Sequence, residues 1–440
     1  MGTHERIIEP GTGPLSGSVR VPGSKSLSNR AVILAALARG TSTLEGILRS
    51  DDIDSLLVGL EQLGLGIDRR EGGVCIEGGG GMLPGRPGRV TTINCGHGGT
   101  PARFLLAAAC LSADVVVIDG SDRLRQRPMA EGVELLRAMG ATIVSDHGSD
   151  RLPLRVESCG LRGGRFRVGS TASSQYISAL MLIAPFLDEG IELEFDGPPT
   201  SAAYIRLTAR ELESWGAGVE LQDHAGELEL VRVRPGMIAS RSRCIEPDAS
   251  SAAYWAVAAA INPGSRIRLL GLQPDDVQPD AGVFNAIVKA GAAVESTDDG
   301  CIVHGPRTVR GWSTLDASDM PDGAVSLAIM AACAVTTSTI TGLSTLRVKE
   351  SDRIGAIQCE LERCGAEVHA TDQSLRISPI PTPLLSTEAP DVLVRTYDDH
   401  RMAMAFSILG LRRGGIRIED PECVNKSYPG FYMDLEALQA

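Results

Sequence analysis

Short stretches of this sequence concentrate side chains that can hold anions and move protons. Lys25, Ser26, Ser28 and Arg30 share two helical turns; Arg123, Arg125 and Arg127 run up to Pro128. Arg347, Lys349, Glu350, Asp352 and Arg353 crowd another segment, and Asp399, His400 and Arg401 are consecutive. Guanidinium forks match the planar oxygens of carboxylates and phosphates. A carboxylate or imidazole beside them can take or deliver a proton. The chemistry indicated is a reaction on multiply charged acids in which a proton moves. Singly, such runs are more often solvated charge, and Ser, Thr or Asp at a helix start is more often an N-cap. Capping explains lone hydroxyls. It does not explain Lys25 and Arg30 together, or Arg103 and Arg401 opening apolar helices, where a charge requires a partner.

The elements that must position these side chains recur along the chain. Polar loops open helices of small apolar residues near Lys25, Gly98, Ser173, Asp248, Asp322 and Asp399. Helices apolar most of the way round are expected to be buried, and their N-termini attract anions. Between them, other helices end in Gly64, Gly140, Gly216, Gly291 and Gly365, each followed by two strands, at spacings of 74–76 residues. Glycine suits the left-handed position after a helix. The period predicts six βαβαββ units of roughly 75 residues. In the sixth, a final helix around Asp434–Leu438 lacks a strand pair after it, and strands around Ile7 and Val19 are expected to supply one. With three units per domain, a discontinuous domain I spans 1–22 plus 247–440, closed by both termini, and domain II spans 23–246. Parallel packing of the units would turn all six helix starts into one interdomain cleft. A single elongated solenoid is the alternative, disfavoured because the closure needs both termini.

Composition limits the functions available. The net charge of −13 and pI of about 5.1 argue against a nucleic-acid partner, so an anionic substrate must be held by local cations against the global field. Apolar residues at 43% and charged residues at 22% exclude dominant disorder. Aromatics are only 4%, so the core must be built from Ala, Val, Leu and Ile. No apolar run approaches ~18 residues, so no membrane span is expected, and the opening MGTHERIIEPGTG lacks a signal-peptide stretch. The ten cysteines are scattered, and the closest pair, Cys359 and Cys364, has no flanking histidine. Buried reduced thiols in a cytoplasmic protein, with no metal site, are expected.

At this point the sequence resembles the 5-enolpyruvylshikimate-3-phosphate synthase family. The matching segments are PGSKSLSNR at Pro22–Arg30, LRQRP at Leu124–Pro128, SSQ at Ser173–Gln175, MPD at Met320–Asp322, RVKESDR at Arg347–Arg353 and DDHRMAM at Asp398–Met404. They span nearly the whole chain in order. The resemblance implies an α/β, two-domain inverse α/β barrel-like fold with three βαβαββ units per domain. It implies transfer of the enolpyruvyl group of phosphoenolpyruvate to the 5-hydroxyl of shikimate 3-phosphate, without cofactor or metal, by a monomer. By resemblance, Lys25, Ser26, Arg30, Ser173, Ser174, Gln175, Ser201 and Tyr204 bind shikimate 3-phosphate, with Asp322 and Lys349 at the reacting hydroxyl. Lys25, Gly99, Arg127, Gln175, Arg353, Arg401 and Lys426 bind phosphoenolpyruvate. Asp322 is the general base, while Glu350 and His400 are candidates for proton transfer at the methylene carbon, and Lys25 is placed with the catalytic set.

The sequence departs from the family in the loop His97-Gly98-Gly99-Thr100-Pro101-Ala102-Arg103, whose extra glycine and proline bear on the phosphoenolpyruvate pocket and on analogues such as glyphosate. Thr345 stands where some members have Asn. The runner-up is the sibling enzyme acting on UDP-N-acetylglucosamine, which has Asn after the Lys25 equivalent and a cysteine before its Arg-Pro; here Ser26 follows and SDRLRQRP has no cysteine. A non-catalytic anion-binding relative is a third reading, opposed by the joint presence of Lys25, Asp322, Lys349, Glu350 and Arg401.

Overall fold

Alanine and leucine runs with no polar face can only form helices that are enclosed on all sides. The computed structural model contains six of them: α1 (Lys25–Leu37), α2 (Gly99–Ala109), α3 (Ser174–Ile183), α4 (Ala249–Ile261), α5 (Gly323–Ala332) and α6 (His400–Gly410). Every residue of α4 is buried. The structure describes residues 5–85, 88–145, 148, 150–157, 160–169, 171 and 173–439. The polar turn of the second repeat around Asp146, His147 and Ser149 lies outside the described residues, as does Cys159.

The chain divides into two compact units, Met1–Pro22 with Glu246–Ala440, and Gly23–Ile245. In the second unit α1, α2 and α3 pack on one another; in the first, α4, α5 and α6 do the same. Packed, buried helices of this kind depend on small contact residues, and truncating one large apolar side chain costs about 2–5 kcal/mol. Around each triad stand three small sheets; five of the six described are four-stranded and built alike, and the sheet holding Glu5–Ile8 has three strands. In the second repeat Val90–Asn94 runs parallel to Val115–Asp119, which pairs antiparallel with Leu154–Val156, and Ile143–Ser145 lies at the edge. None of the six sheets among the described residues closes on itself. The helix-ending glycines all take left-handed φ values, 94° at Gly64, 103° at Gly140, 88° at Gly216, 111° at Gly291 and 101° at Gly365, where a Cβ would clash.

The N-terminal strands do not act as a pair. Glu5–Ile8 joins the sixth sheet, antiparallel to Ile416–Glu419, as expected. Ser16–Val19 instead runs parallel to Arg266–Leu270 and leads the fourth repeat. The reason is local. The chain leaves the first unit at Pro22 and re-enters it at Glu246, and just beyond, the Asp248 N–H donates to Pro22 O at 2.9 Å. Ser16–Val19 is thus the strand that feeds α4, with the whole second unit inserted between them. The second unit is completed by its own last strand, Ser242–Cys244, parallel to Arg39–Glu45 of its first repeat. The final helix forms at Phe431–Gln439, and Phe431 stacks on Trp255 with ring centroids 4.9 Å apart.

All nine described cysteines are free. Cys75, Cys95, Cys110, Cys301 and Cys364 are buried as expected, and burial pushes the Cys95 and Cys110 thiols up to about 12. Cys244 and Cys359 are exposed, against expectation. The first lies on an edge strand and the second on an amphipathic helix, Arg353–Arg363.

Candidate active site

Each unit gathers the sequence-selected residues at the N-terminal ends of its helix triad. In the second unit α1 is capped by Ser24, and Lys25 on its first turn lies 3.5 Å from Asp52. Arg30, one turn on, is buried and donates to Thr208 Oγ1 at 2.8 Å, Ser26 O at 2.9 Å, Ser178 Oγ at 3.0 Å and Tyr204 O at 3.2 Å. It thereby ties α1 to α3 and to the helix Ala202–Ser214. Burial pushes its guanidinium down to about 10, against the pull of Tyr204 and Glu211, which leaves it charged at neutral pH. Arg103 donates to Gln175 Oε1 and to Pro128 O at 3.0 Å, and lies 4.8 Å from the Tyr176 ring centroid.

Gly99 opens α2 where these cations converge. A Cβ placed there would fall 2.3 Å from Arg127 Nη1 and 2.9 Å from Arg103 Nη1. Both distances are inside contact, so any Cβ at this helix start would push the two guanidinium ends aside. Ser173 caps α3 by accepting Gln175 N–H at 3.3 Å, and Ser174 is buried. Ser201 precedes its helix in a left-handed conformation, φ 51°, with Tyr204 on the first turn. The structure therefore brings Gly99, Arg127 and Gln175 to Arg103, and Ser26 and Tyr204 to Arg30.

The first unit is built on charge pairs. Arg353, only 1% exposed, donates to Asp322 Oδ1 at 2.6 Å, Glu350 Oε2 at 2.9 Å and Asp399 Oδ2 at 2.8 Å. Burial alone would lower its pKa; Asp399, Glu350 and Asp322 together raise it well above the ordinary value. Asp322 also accepts from Arg401 Nη2 at 3.2 Å and lies 3.6 Å from Lys349 Nζ. Burial would likewise lower Arg401, and Asp322 is the largest influence holding it up. Lys426 Nζ lies 3.4 Å from Glu350 Oε1. Asp399 caps α6 through Arg401 N–H at 2.9 Å, and the fully buried His400 ring lies 3.7 Å from Asp399 Oδ1. All the residues selected in this unit, Asp322, Lys349, Glu350, Arg353, His400, Arg401 and Lys426, thus belong to one network. Thr345 is half-buried on the one-turn helix leading to Lys349.

The turn into α6 is strained. Tyr397 and Asp398 take φ values of 57° and 55°, uncommon for residues with a Cβ. Buried Glu360 holds the turn, accepting Tyr397 O–H at 2.9 Å and Arg395 N–H at 3.2 Å. Strain of this kind persists where the surroundings over-determine it.

Sequence reasoning missed the partners that orient the selected residues. Neither Asp52 nor Asp280 stands out in the sequence, and Asp399 does so only within the run Asp399-His400-Arg401 that opens a helix.

A family model described as EPSP synthase (3-phosphoshikimate 1-carboxyvinyltransferase) matches residues 10–435. The chain belongs to the EPSP synthase family. It is 38% identical over 422 residues to the 3-phosphoshikimate 1-carboxyvinyltransferase of Methanoculleus marisnigri, covering 96% of each chain. It is 34% identical over 446 residues to the protein of the same name from Haemophilus ducreyi, covering 100% of this chain and 99% of that one. An EPSP synthase structure from Acinetobacter baumannii superposes with a TM-score of 0.80 at 26% identity, covering 98% of this chain and 97% of that chain. Membership of the EPSP synthase family makes this an α/β enzyme of the carboxyvinyltransferase class. No helix among the described residues is long and apolar enough to cross a membrane.

Proposed function

We propose that this chain transfers the enolpyruvyl group of phosphoenolpyruvate to the 5-hydroxyl of shikimate 3-phosphate. The acceptor hydroxyl loses its proton to Asp322 and its oxygen attacks C2 of phosphoenolpyruvate, while a proton is added at the methylene carbon. Phosphate then leaves as that carbon gives a proton back. Glu350 and His400 serve the methylene carbon, and Lys349 stands beside the base. Lys25, Ser26, Arg30, Ser173, Ser174, Gln175, Ser201 and Tyr204 hold shikimate 3-phosphate. Lys25, Gly99, Arg127, Gln175, Arg353, Arg401 and Lys426 hold phosphoenolpyruvate. Preorganised donors of this kind act on charge as it develops, at little reorganisation cost. The chain works as a monomer in the cytoplasm.

The observation that carries the reading is the setting of Asp322. It stands at the start of α5 but makes no side-chain cap bond, and its carboxylate meets Arg353, Arg401 and Lys349 instead. A structural N-cap would spend its oxygen on its own helix. The test is phosphate release from phosphoenolpyruvate with shikimate 3-phosphate or UDP-N-acetylglucosamine as acceptor. Turnover is expected with the first alone; turnover with the second alone, or with neither, overturns the reading.

A further inference from the structure

Most of the repeat helices cap themselves. Ser24, Ser173, Asp248 and Asp399 each accept an N–H of the helix they open, and Gly98 has no side chain to offer. The helix α5 is different. Asp322 sits at its start with helical φ −78° and ψ −35°, and the N–H of Gly323 donates to Asp280 Oδ1 at 2.9 Å. Asp280 is 1% exposed and lies on the one-turn helix Pro279–Ala281. Its other oxygen accepts the hydroxyl of Ser250 in the first turn of α4. Gln278, in the same turn, accepts Ala249 N–H at 3.2 Å and donates to Pro247 O at 2.7 Å. One short turn therefore braces the starts of both α4 and α5. Gly323 admits it closely: a Cβ there would come 2.5 Å from Val283 Cγ2 and 3.3 Å from Asp280 Oδ1.

We propose that Asp280 is a positioning residue: it caps α5 in place of Asp322, so that the Asp322 carboxylate turns outward to Arg353, Arg401 and Lys349 as the base. This rests on the reading of Asp322 given above. The charged groups facing Asp280 are Asp322 and Arg401, with Tyr254 and Asp248 next to Arg401. Burial first, and the Asp322 carboxylate second, push the Asp280 carboxyl up to about 6.

The experiment compares Asp280→Ala, which removes the acceptor, with Asp280→Asn, which keeps an oxygen for Gly323 N–H but removes the charge. Steady-state phosphate release gives kcat and both KM values across pH. In Asp280→Ala, kcat is expected to fall roughly 10–100-fold, the cost of misplacing a reacting group by about 1 Å, with KM for shikimate 3-phosphate little changed. In Asp280→Asn, which keeps an acceptor for the Gly323 N–H, most of that kcat is expected to return, again with KM for shikimate 3-phosphate little changed. In an Asp322→Asn background, Asp280→Ala should remove no further turnover, because both act through one carboxylate. Asp280→Ala within about threefold of wild-type kcat, or losses that multiply in the double variant, overturn the proposal. Should Asp280→Ala fail to fold, Asp280→Ser, whose shorter side chain draws the acceptor away from the Gly323 N–H, takes its place with the same expected and overturning outcomes. If Asp322→Asn itself keeps turnover within about threefold, the base assignment fails; if only Asp322→Asn loses turnover, this proposal fails and that assignment stands.

Discussion

Arg30 and Arg353 are both buried arginines near the start of a helix, and their surroundings are opposite. The hydrogen bonds of Arg30 go to two hydroxyls and two carbonyls. Those of Arg353 go to three carboxylates. Neutral oxygens orient a guanidinium without cancelling its charge, so Arg30 keeps a positive field. Carboxylates cancel the charge in place, so Arg353 fixes Asp322, Glu350 and Asp399 among donors. On the proposed reading the second unit's cations bind anions alone, while in the first the cations proposed for phosphoenolpyruvate stand among the carboxylates proposed to move protons.

The largest expected effect tests the proton-moving half. Asp322→Asn keeps the shape but cannot take a proton, and kcat should fall about 10²–10⁴-fold. Calorimetric titration of shikimate 3-phosphate should give a nearly unchanged Kd. A kcat within about threefold of wild type would remove Asp322 from the catalytic set.

Next comes stability, where the two arginines should part. Arg353→Met removes the guanidinium shared by Asp322, Glu350 and Asp399 and leaves their buried negative charge under-compensated, which costs about 3–5 kcal/mol. The loss should shrink as pH falls and those groups protonate. Arg30→Met leaves only neutral acceptors unsatisfied, at about 1–3 kcal/mol, with no such relief. Denaturant unfolding of both variants at neutral and acid pH measures this, and matching pH responses would break the contrast.

The binding half is sharpened by Arg30→Ala. Loss of a charged hydrogen-bond donor costs about 1.5–3 kcal/mol, so KM for shikimate 3-phosphate should rise roughly one to two decades while kcat at saturation changes far less. A normal KM would show that Arg30 serves only to join its helices.

A smaller effect concerns pH. The Asp280 carboxyl is raised from 3.8 to about 6, by burial first and then by Asp322. A group held above its unfolded value binds its proton more tightly when folded. Its contribution to stability is therefore complete below the lower value and is lost as pH rises through the higher one. The unfolding free energy of wild type minus that of Asp280→Asn should decline between about pH 4 and pH 7; a rising difference would reverse the sign assigned to the burial. Smallest is Gly99→Ala, whose methyl displaces the Arg127 and Arg103 guanidinium groups. KM for phosphoenolpyruvate should rise about fivefold, equivalent to roughly 1 kcal/mol, with KM for shikimate 3-phosphate unmoved.

The repeat, its helix starts and its left-handed glycines were legible because each depends on local chemistry: a cap, an apolar run, a residue without a Cβ. The place of Ser16–Val19 was not, because a strand reads the same whether its partner lies nearby or beyond an inserted unit. The selected side chains also proved to lie together within each unit. What could not be read was their satisfaction. Nothing near Arg30 announces Thr208 and Ser178, and Asp280 caps a helix that begins more than forty residues later. Pairings of that kind arise only when helices from different repeats are packed.

The insertion of one unit within the other also orders events during synthesis. Chains emerge from the ribosome N-terminus first, and domains tend to fold as they are completed. The second unit has its last strand once Cys244 has emerged. The first unit waits far longer, since Glu5–Ile8 pairs with Ile416–Glu419. Throughout that interval Glu5–Ile8 has no partner, whereas Ser16–Val19 waits only until Arg266–Leu270 has emerged; bare strand edges are templates for wrong partners. Ribosome stalling before Glu419, or truncation there, should therefore yield a chain whose inner unit is sound and whose outer unit is sticky.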